Sequence, residues 1–215
     1  MDDQPDHTGT PTRRYHSPRR ERQAEATRAA IVRAARALFA RHGYQATTIP
    51  AIAGHAGVAI PTVYATFGSK AAILAALVKS AGADEDIRAL ARAAFAEADP
   101  WRQLTRAAAV IRAIQERDTD IADLLWQAGG GDPDLAEVWR QSHRQQLARM
   151  GALVSLLADK GALKPELSTT AATDMLFALG SPELYRLLVR ERGWAPQQYE
   201  DWLGASARAL LLRDS

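Results

Sequence analysis

The chain has 215 residues, 27 Lys or Arg against 25 Asp or Glu, and 47% hydrophobic residues, apolar content enough for one large domain or two modest ones. It contains no cysteine, which excludes disulfides, thiolate metal sites and a cysteine nucleophile, and fits a reducing cytoplasm. No apolar run approaches the length needed to span a bilayer, and the start, with Asp2, Asp3 and Asp6, lacks the apolar core of a secretory signal.

The net charge of +2 hides an uneven distribution. Residues 13–80 hold 11 Lys or Arg against only Glu21 and Glu25, residues 1–12 hold three Asp, and residues 81–215 hold 16 basic and 20 acidic side chains. A basic N-terminal third on an acidic body is the electrostatic footprint of a nucleic-acid-binding head.

In chain order, residues 1–22 are polar and aperiodic and read as a disordered basic arm carrying Arg13, Arg14, Arg19, Arg20 and Arg22. A first helix over 23–42 places Ile31, Ala35, Leu38 and Phe39 on one face, with Arg33 and Arg36 opposite, and Gly43 closes it. The stretch from Thr47 to about residue 67 then reads as two short helices around a tight turn. Thr47 and Thr48 offer N-cap hydroxyls, and Pro50 sits in a first turn, where its missing N–H costs little. Gly57 suits a left-handed helix end, with Val58 as a plug into the core. The second helix spans about 60–67, with Pro61 in its first turn, Val63 and Phe67 facing inward, and Thr62 and Tyr64 facing outward. Ser69 caps a fourth helix with Ile73, Leu74, Leu77 and Val78 on its core face, while Lys70 in its first turn opposes the helix dipole.

From about residue 84 the pattern is helical throughout, with no alternating strand signal. Breaks at Asp99-Pro100, Asp118, Gly129 to Pro133, Gly161 to Pro165, Gly180 to Pro182 and Gly193 to Pro196 delimit helices near 85–98, 100–116, 119–128, 133–160, 168–179, 182–192 and 197–212. Two of these carry bundle-seam spacing: Ala172, Met175, Leu176 and Leu179 on one, and Tyr199, Trp202, Leu203, Ser206 and Leu210 on the other. They are the candidate subunit interface, with burial inside one subunit the alternative.

Enzymatic chemistry has no foothold. The glycines at 129–131 follow a helix and lack the strand and Lys-Ser/Thr of a phosphate-binding loop. No Gly-x-Ser-x-Gly elbow is present. His7, His16, His42, His55 and His143 form no i, i+4 metal pair, so no metal or cofactor is expected.

Several marks along 29–77 together carry a resemblance. Leu38-Phe39, Gly43-Tyr44, Thr47-Thr48, Ile52-Ala53, Ala56-Gly57-Val58, Thr62-Val63-Tyr64, Phe67 and Ser69-Lys70 keep, without a gap, the spacing of the DNA-binding domain of TetR-type transcriptional regulators, which this stretch resembles. The resemblance implies an all-α chain. An N-terminal three-helix helix-turn-helix DNA-binding domain (23–82) would be followed by a helical effector-binding and dimerisation domain (83–215). It also implies a homodimer on a palindromic double-stranded DNA operator, acting in the cytoplasm as a repressor released by a small-molecule effector. A helical ligand sensor or interaction protein with little specific DNA binding is the competing reading.

On that resemblance, Thr47 and Thr48 would donate to phosphate, Tyr64 would reach a phosphate or a thymine methyl, and Lys70 would pair with the backbone. Ile60, Pro61 and Thr62 would face base edges. No Arg, Asn or Gln on the second helix offers a bidentate base contact, leaving groove shape and phosphate placement to carry much of the specificity. Ala59 stands where the family commonly has a Ser cap. Effector-pocket candidates are Phe95, Trp101, Trp126, Trp139, His143, Met150, Met175 and Phe177, although aromatic and Met side chains at helical spacing commonly fill cores.

Overall fold

The computed structural model describes residues 18–80, 84–128 and 133–213, and among them the regular structure is helical. The elements are α1 (Pro18–Ala46), α2 (Ile49–Ala56), α3 (Ile60–Phe67), α4 (Lys70–Ser80), α5 (Glu85–Ala96), α6 (Pro100–Ala128), α7 (Pro133–Asp159), α8 (Thr169–Leu179), α9 (Pro182–Tyr185) running into a π-helical turn (Arg186–Glu191), and α10 (Pro196–Leu211). An isolated antiparallel bridge between Leu163 and Leu212 clasps the C-terminus to the α7–α8 loop.

Residues 18–22 belong to helix α1, so Arg19, Arg20 and Arg22 are helical rather than part of a disordered arm. Local chemistry accounts for this through a run of good helix formers around them. Arg13 and Arg14 lie outside the described residues. Gly43 breaks the far end of the helix at φ 77° and ψ 167°, a backbone conformation that glycine adopts without strain.

Ile31, Ala35 and Phe39 of α1 pack with Ile52 and Ala53 of α2, Val63 of α3 and Ile73, Leu74 and Leu77 of α4 to form the head core. Ile121 of α6 and Val138 of α7 belong to the same cluster, with Trp139 against it. The head therefore shares apolar surface with the body.

The second core lies among α6, α7, α8 and α10, built from Leu104, Ile111, Val154, Leu157, Leu176, Tyr199, Leu203 and Leu211. This placement revises the interface expected from helix periodicity. Ala172, Leu176, Tyr199 and Leu203 are completely or almost completely buried inside their own subunit. Met175 and Leu210 are exposed, and Leu179, Trp202 and Ser206 are half-buried. A 3.6-residue apolar stripe shows that a helix is covered, not which neighbour covers it.

The break expected at Asp118 is present: α6 consists of two helical stretches that meet at a kink, where Asp118 takes φ −115° and ψ 19°. The helix expected over 182–192 changes to π winding at Arg186.

Candidate nucleic-acid interface and effector cavity

Backbone chemistry fixes the helix-turn-helix. Thr48 caps α2, its hydroxyl oxygen accepting from the Ala51 N–H at 3.3 Å. At the other end Gly57 takes φ 67°. The Val58 N–H reaches the Ala53 carbonyl at 3.0 Å and the Gly57 N–H reaches the Gly54 carbonyl at 3.3 Å, the paired closure of a Schellman end. Ala59, before α3, makes no side-chain cap bond, a difference from a Ser cap of about 1 kcal/mol. Ser69 caps α4 through the Ala72 N–H at 3.1 Å.

Two expected phosphate ligands are engaged by the protein itself. Thr47 is 3% exposed, and its hydroxyl donates to the Gly43 carbonyl at 2.8 Å. It therefore holds the break after α1 and presents no hydroxyl to the surface. Lys70 turns its ammonium back across the α1–α2 loop. The ammonium donates to the carbonyls of Tyr44 and Thr47, each at 2.8 Å, and lies 4.3 Å from the centre of the Tyr44 ring. Three carbonyl contacts offset the unfavourable position of this cation at a helix start. Arg28 stacks over Phe67 at 4.3 Å.

The exposed face of α3 differs from the expected one at two positions, Thr62 and Ala65. Ile60, Pro61 and Tyr64 are exposed, as is Ala65, which lies four residues after Pro61 and was legible from that spacing. Thr62 is half-buried and faces a groove between α3 and the N-terminal turns of α1, lined also by Arg20, Arg22, Thr27 and Thr66. The helical course of residues 18–22 thus puts arginines beside α3, an arrangement that the reading of 1–22 as an arm missed. Exposed Thr48 completes the surface. Its oxygen serves the cap, while a hydroxyl keeps its proton as a separate donor.

In the body, a cavity of about 120 Å³ lies among α4, α6, α7 and the α8–α9 turn. Trp139, His143 and Met150 line it, as do Lys79, Asp118 and Arg149. Gln115 and Gln146 both donate to the Gly180 carbonyl, at 3.1 and 3.2 Å, beside this space. His143 stacks 4.0 Å from Trp139 and meets Phe177 edge-on at 5.5 Å, so Phe177 braces the wall. A second cavity of about 160 Å³ lies among α5, α6 and α7 and is lined by Phe95 and again by Met150. Trp101 stands apart, half exposed under Arg208 at 4.8 Å, and exposed Met175 lines neither cavity. The Trp126 side chain lies outside the described residues.

One ion-pair cluster joins head to body at the first cavity. Arg36 of α1 donates to both Asp120 oxygens at 2.7 and 2.9 Å, to Asp118 Oδ1 at 3.2 Å and to the Arg117 carbonyl at 2.5 Å. The hydrogen bonding of Arg36 to Asp120, more than any other influence, raises the Arg36 pKa. Asp118 responds in the same direction for a different reason. Burial pushes its carboxyl above the usual range, outweighing the downward pull of Arg36 and Arg117.

Such a head, a helix-turn-helix with one bare helix face beside a groove lined by Arg20, Arg22 and Arg28 together with Glu21 and Glu25, has the arrangement of the DNA-binding regulator class of all-α protein. Residues 31–77 match the family model described as bacterial regulatory proteins, tetR family, and the head belongs to that family. The fold matches solved structures over nearly the whole chain. SmeT in complex with triclosan is 24% identical with TM-score 0.72, covering 88% of this chain and 93% of that one. Another SmeT structure, described as the repressor of the Stenotrophomonas maltophilia multidrug efflux pump SmeDEF, is 22% identical with TM-score 0.67, covering 89% and 93%. NalD, described as the secondary repressor of the MexAB-OprM multidrug efflux pump in Pseudomonas aeruginosa, is 24% identical with TM-score 0.70, covering 90% and 100%. No curated protein matches the chain.

Proposed function

We propose that the protein is a sequence-specific transcriptional regulator that binds a palindromic operator as a homodimer and is released by a small-molecule effector. The observation that carries this reading is the exposed surface of Ile60, Pro61, Tyr64 and Ala65 on α3, held beside the arginines of α1 by a capped and internally tied unit. Thymine methyls suit the apolar part of that face, and Thr48 and Tyr64 supply hydroxyl donors to phosphate. Repression is favoured by the descriptions of SmeT and NalD as repressors. Effector control is favoured by the two cavities and by the triclosan bound to SmeT. Arg36 supplies a route between the two functions, because it joins a head helix to Asp118 on the cavity wall. Dimerisation is assigned to the outer faces of α8 and α10, where Met175 and Leu210 are exposed, since two heads one helical turn apart read a palindrome.

Selection of genomic fragments by the purified protein at a fixed salt concentration tests the reading. One palindromic sequence, retained by a dimer, is the expected result. Salt-sensitive retention of DNA without sequence preference would shift the assignment to a ligand sensor that has lost specific binding.

A further inference from the structure

The two cavities share Ile111, Ile114, Arg149 and Met150 as a common wall. The chamber among α5, α6 and α7 is otherwise apolar, formed by Ile87, Ala91, Phe95, Val110 and Leu153 with Arg88 at its edge. Arg88 is paired with Glu85 at 3.1 Å. Arg149 is different. It makes no hydrogen bond or ion pair among the described residues, and it is exposed at that wall, so no group among them competes for it. A guanidinium left open beside an apolar chamber can receive a carboxylate, the partner its planar fork fits best.

The surrounding charges point the same way. Lys79 lines the first cavity with Arg149. Asp118, the acidic side chain on that wall, is already met by Arg36 at 3.2 Å and Arg117 at 3.9 Å. Its Oδ2 is buried without a partner, but two cations compensate its charge, whereas Arg149 has no compensating anion. Size sets the rest: an apolar cavity of roughly 150 Å³ holds a benzene ring, and the chamber measures about 160 Å³.

We infer that this site takes a small amphipathic monocarboxylate, with its ring or short alkyl body among α5, α6 and α7 and its carboxylate on Arg149. The inference names the chemical class of the effector proposed above and rests on that reading for its regulatory meaning, though not for binding. A bidentate Arg–carboxylate pair at the shared wall would fix the head group, and the apolar chamber would select against small hydrophilic acids.

A matched pair of probes decides it: sodium octanoate and octylamine hydrochloride, titrated calorimetrically into the full-length protein. Octanoate should bind and octylamine should not. Arg149→Met keeps the aliphatic stem and should weaken octanoate about tenfold or more. Arg149→Lys, which retains a point charge, should fall between and guards against misfolding of the first variant. Octylamine binding as well as octanoate, unchanged octanoate affinity in both variants, or binding of neither probe would overturn the proposal. Octanoate is then added to the protein on its selected DNA. Arg149-dependent binding that leaves the DNA bound keeps the carboxylate site and removes its role as an effector site.

Discussion

Lys70 illustrates how one side chain's role depends on neighbours remote in sequence. It lies next to the recognition helix and carries a charge, so a phosphate contact is the natural expectation. Instead its ammonium is bound to carbonyls of the α1–α2 loop, and so it positions α2 from within. Replacing Lys70 by Met should lower the free energy of unfolding by about 2 kcal/mol, the scale of hydrogen bonds to a charged group, read by denaturant titration. The salt dependence of DNA binding should keep its slope. A slope flatter by about one unit would restore Lys70 as a phosphate ligand. Thr47 follows the same logic, its hydroxyl spent on Gly43. For Thr48 and Tyr64, both exposed, local spacing was sufficient because no distant group competes for them.

Among the elements, α6 is the one whose bend carries consequences. Asp118 leaves the helical conformation where Arg36 of α1 meets it, and the same carboxylate lines the cavity. Replacing Arg36 by Ala leaves Asp120 without its Arg36 partner and Asp118 with Arg117 alone at 3.9 Å, and should cost about 2 kcal/mol, less than a fully buried pair because Arg36 is partly exposed. Asp118→Asn tests the burial effect through pH. The native carboxyl binds its proton more tightly than the unfolded one, because burial raises its pKa. Its contribution to stability is therefore greatest below the ordinary carboxylate pKa and is lost as pH rises through the elevated value. The Asn variant cannot ionise, so its stability relative to the parent should climb with pH across that interval. A difference that stays flat with pH would show that burial does not perturb Asp118. The bend itself was marked in the sequence only as an Asp between helical runs, since Arg36 lies 82 residues away.

At the scale of the molecule, the residues buried inside the subunit leave a different surface for a partner than periodicity alone suggested. Met175 on α8 and Leu210 on α10 remain outward, while Leu176 and Leu203 belong to the core. Met175→Glu with Leu210→Glu should give a folded monomer with near-parental thermal stability, measured by sedimentation and calorimetry. A dimer that persists in this variant would exclude the outer α8–α10 face. The head, by contrast, is continuous with the body through Ile121, Val138 and Arg36, so a change in the cavity walls has a packed path to α1.

What the sequence determined by itself is the part governed by local physics. The all-helical class, the turn between α2 and α3, their caps and the outward face of α3 follow from glycine, proline and hydroxyl placement within a few residues, and from apolar spacing. What only the tertiary structure decided is which distant groups meet. That the Lys70 ammonium reaches carbonyls of the α1–α2 loop, that Leu176 and Leu203 lie in the subunit's core, and that Arg149 lines the wall between two cavities follow only once the helices are packed. Helical periodicity identifies a face to be covered and charge identifies a group to be paired, but the partner comes from a remote segment that neither pattern specifies.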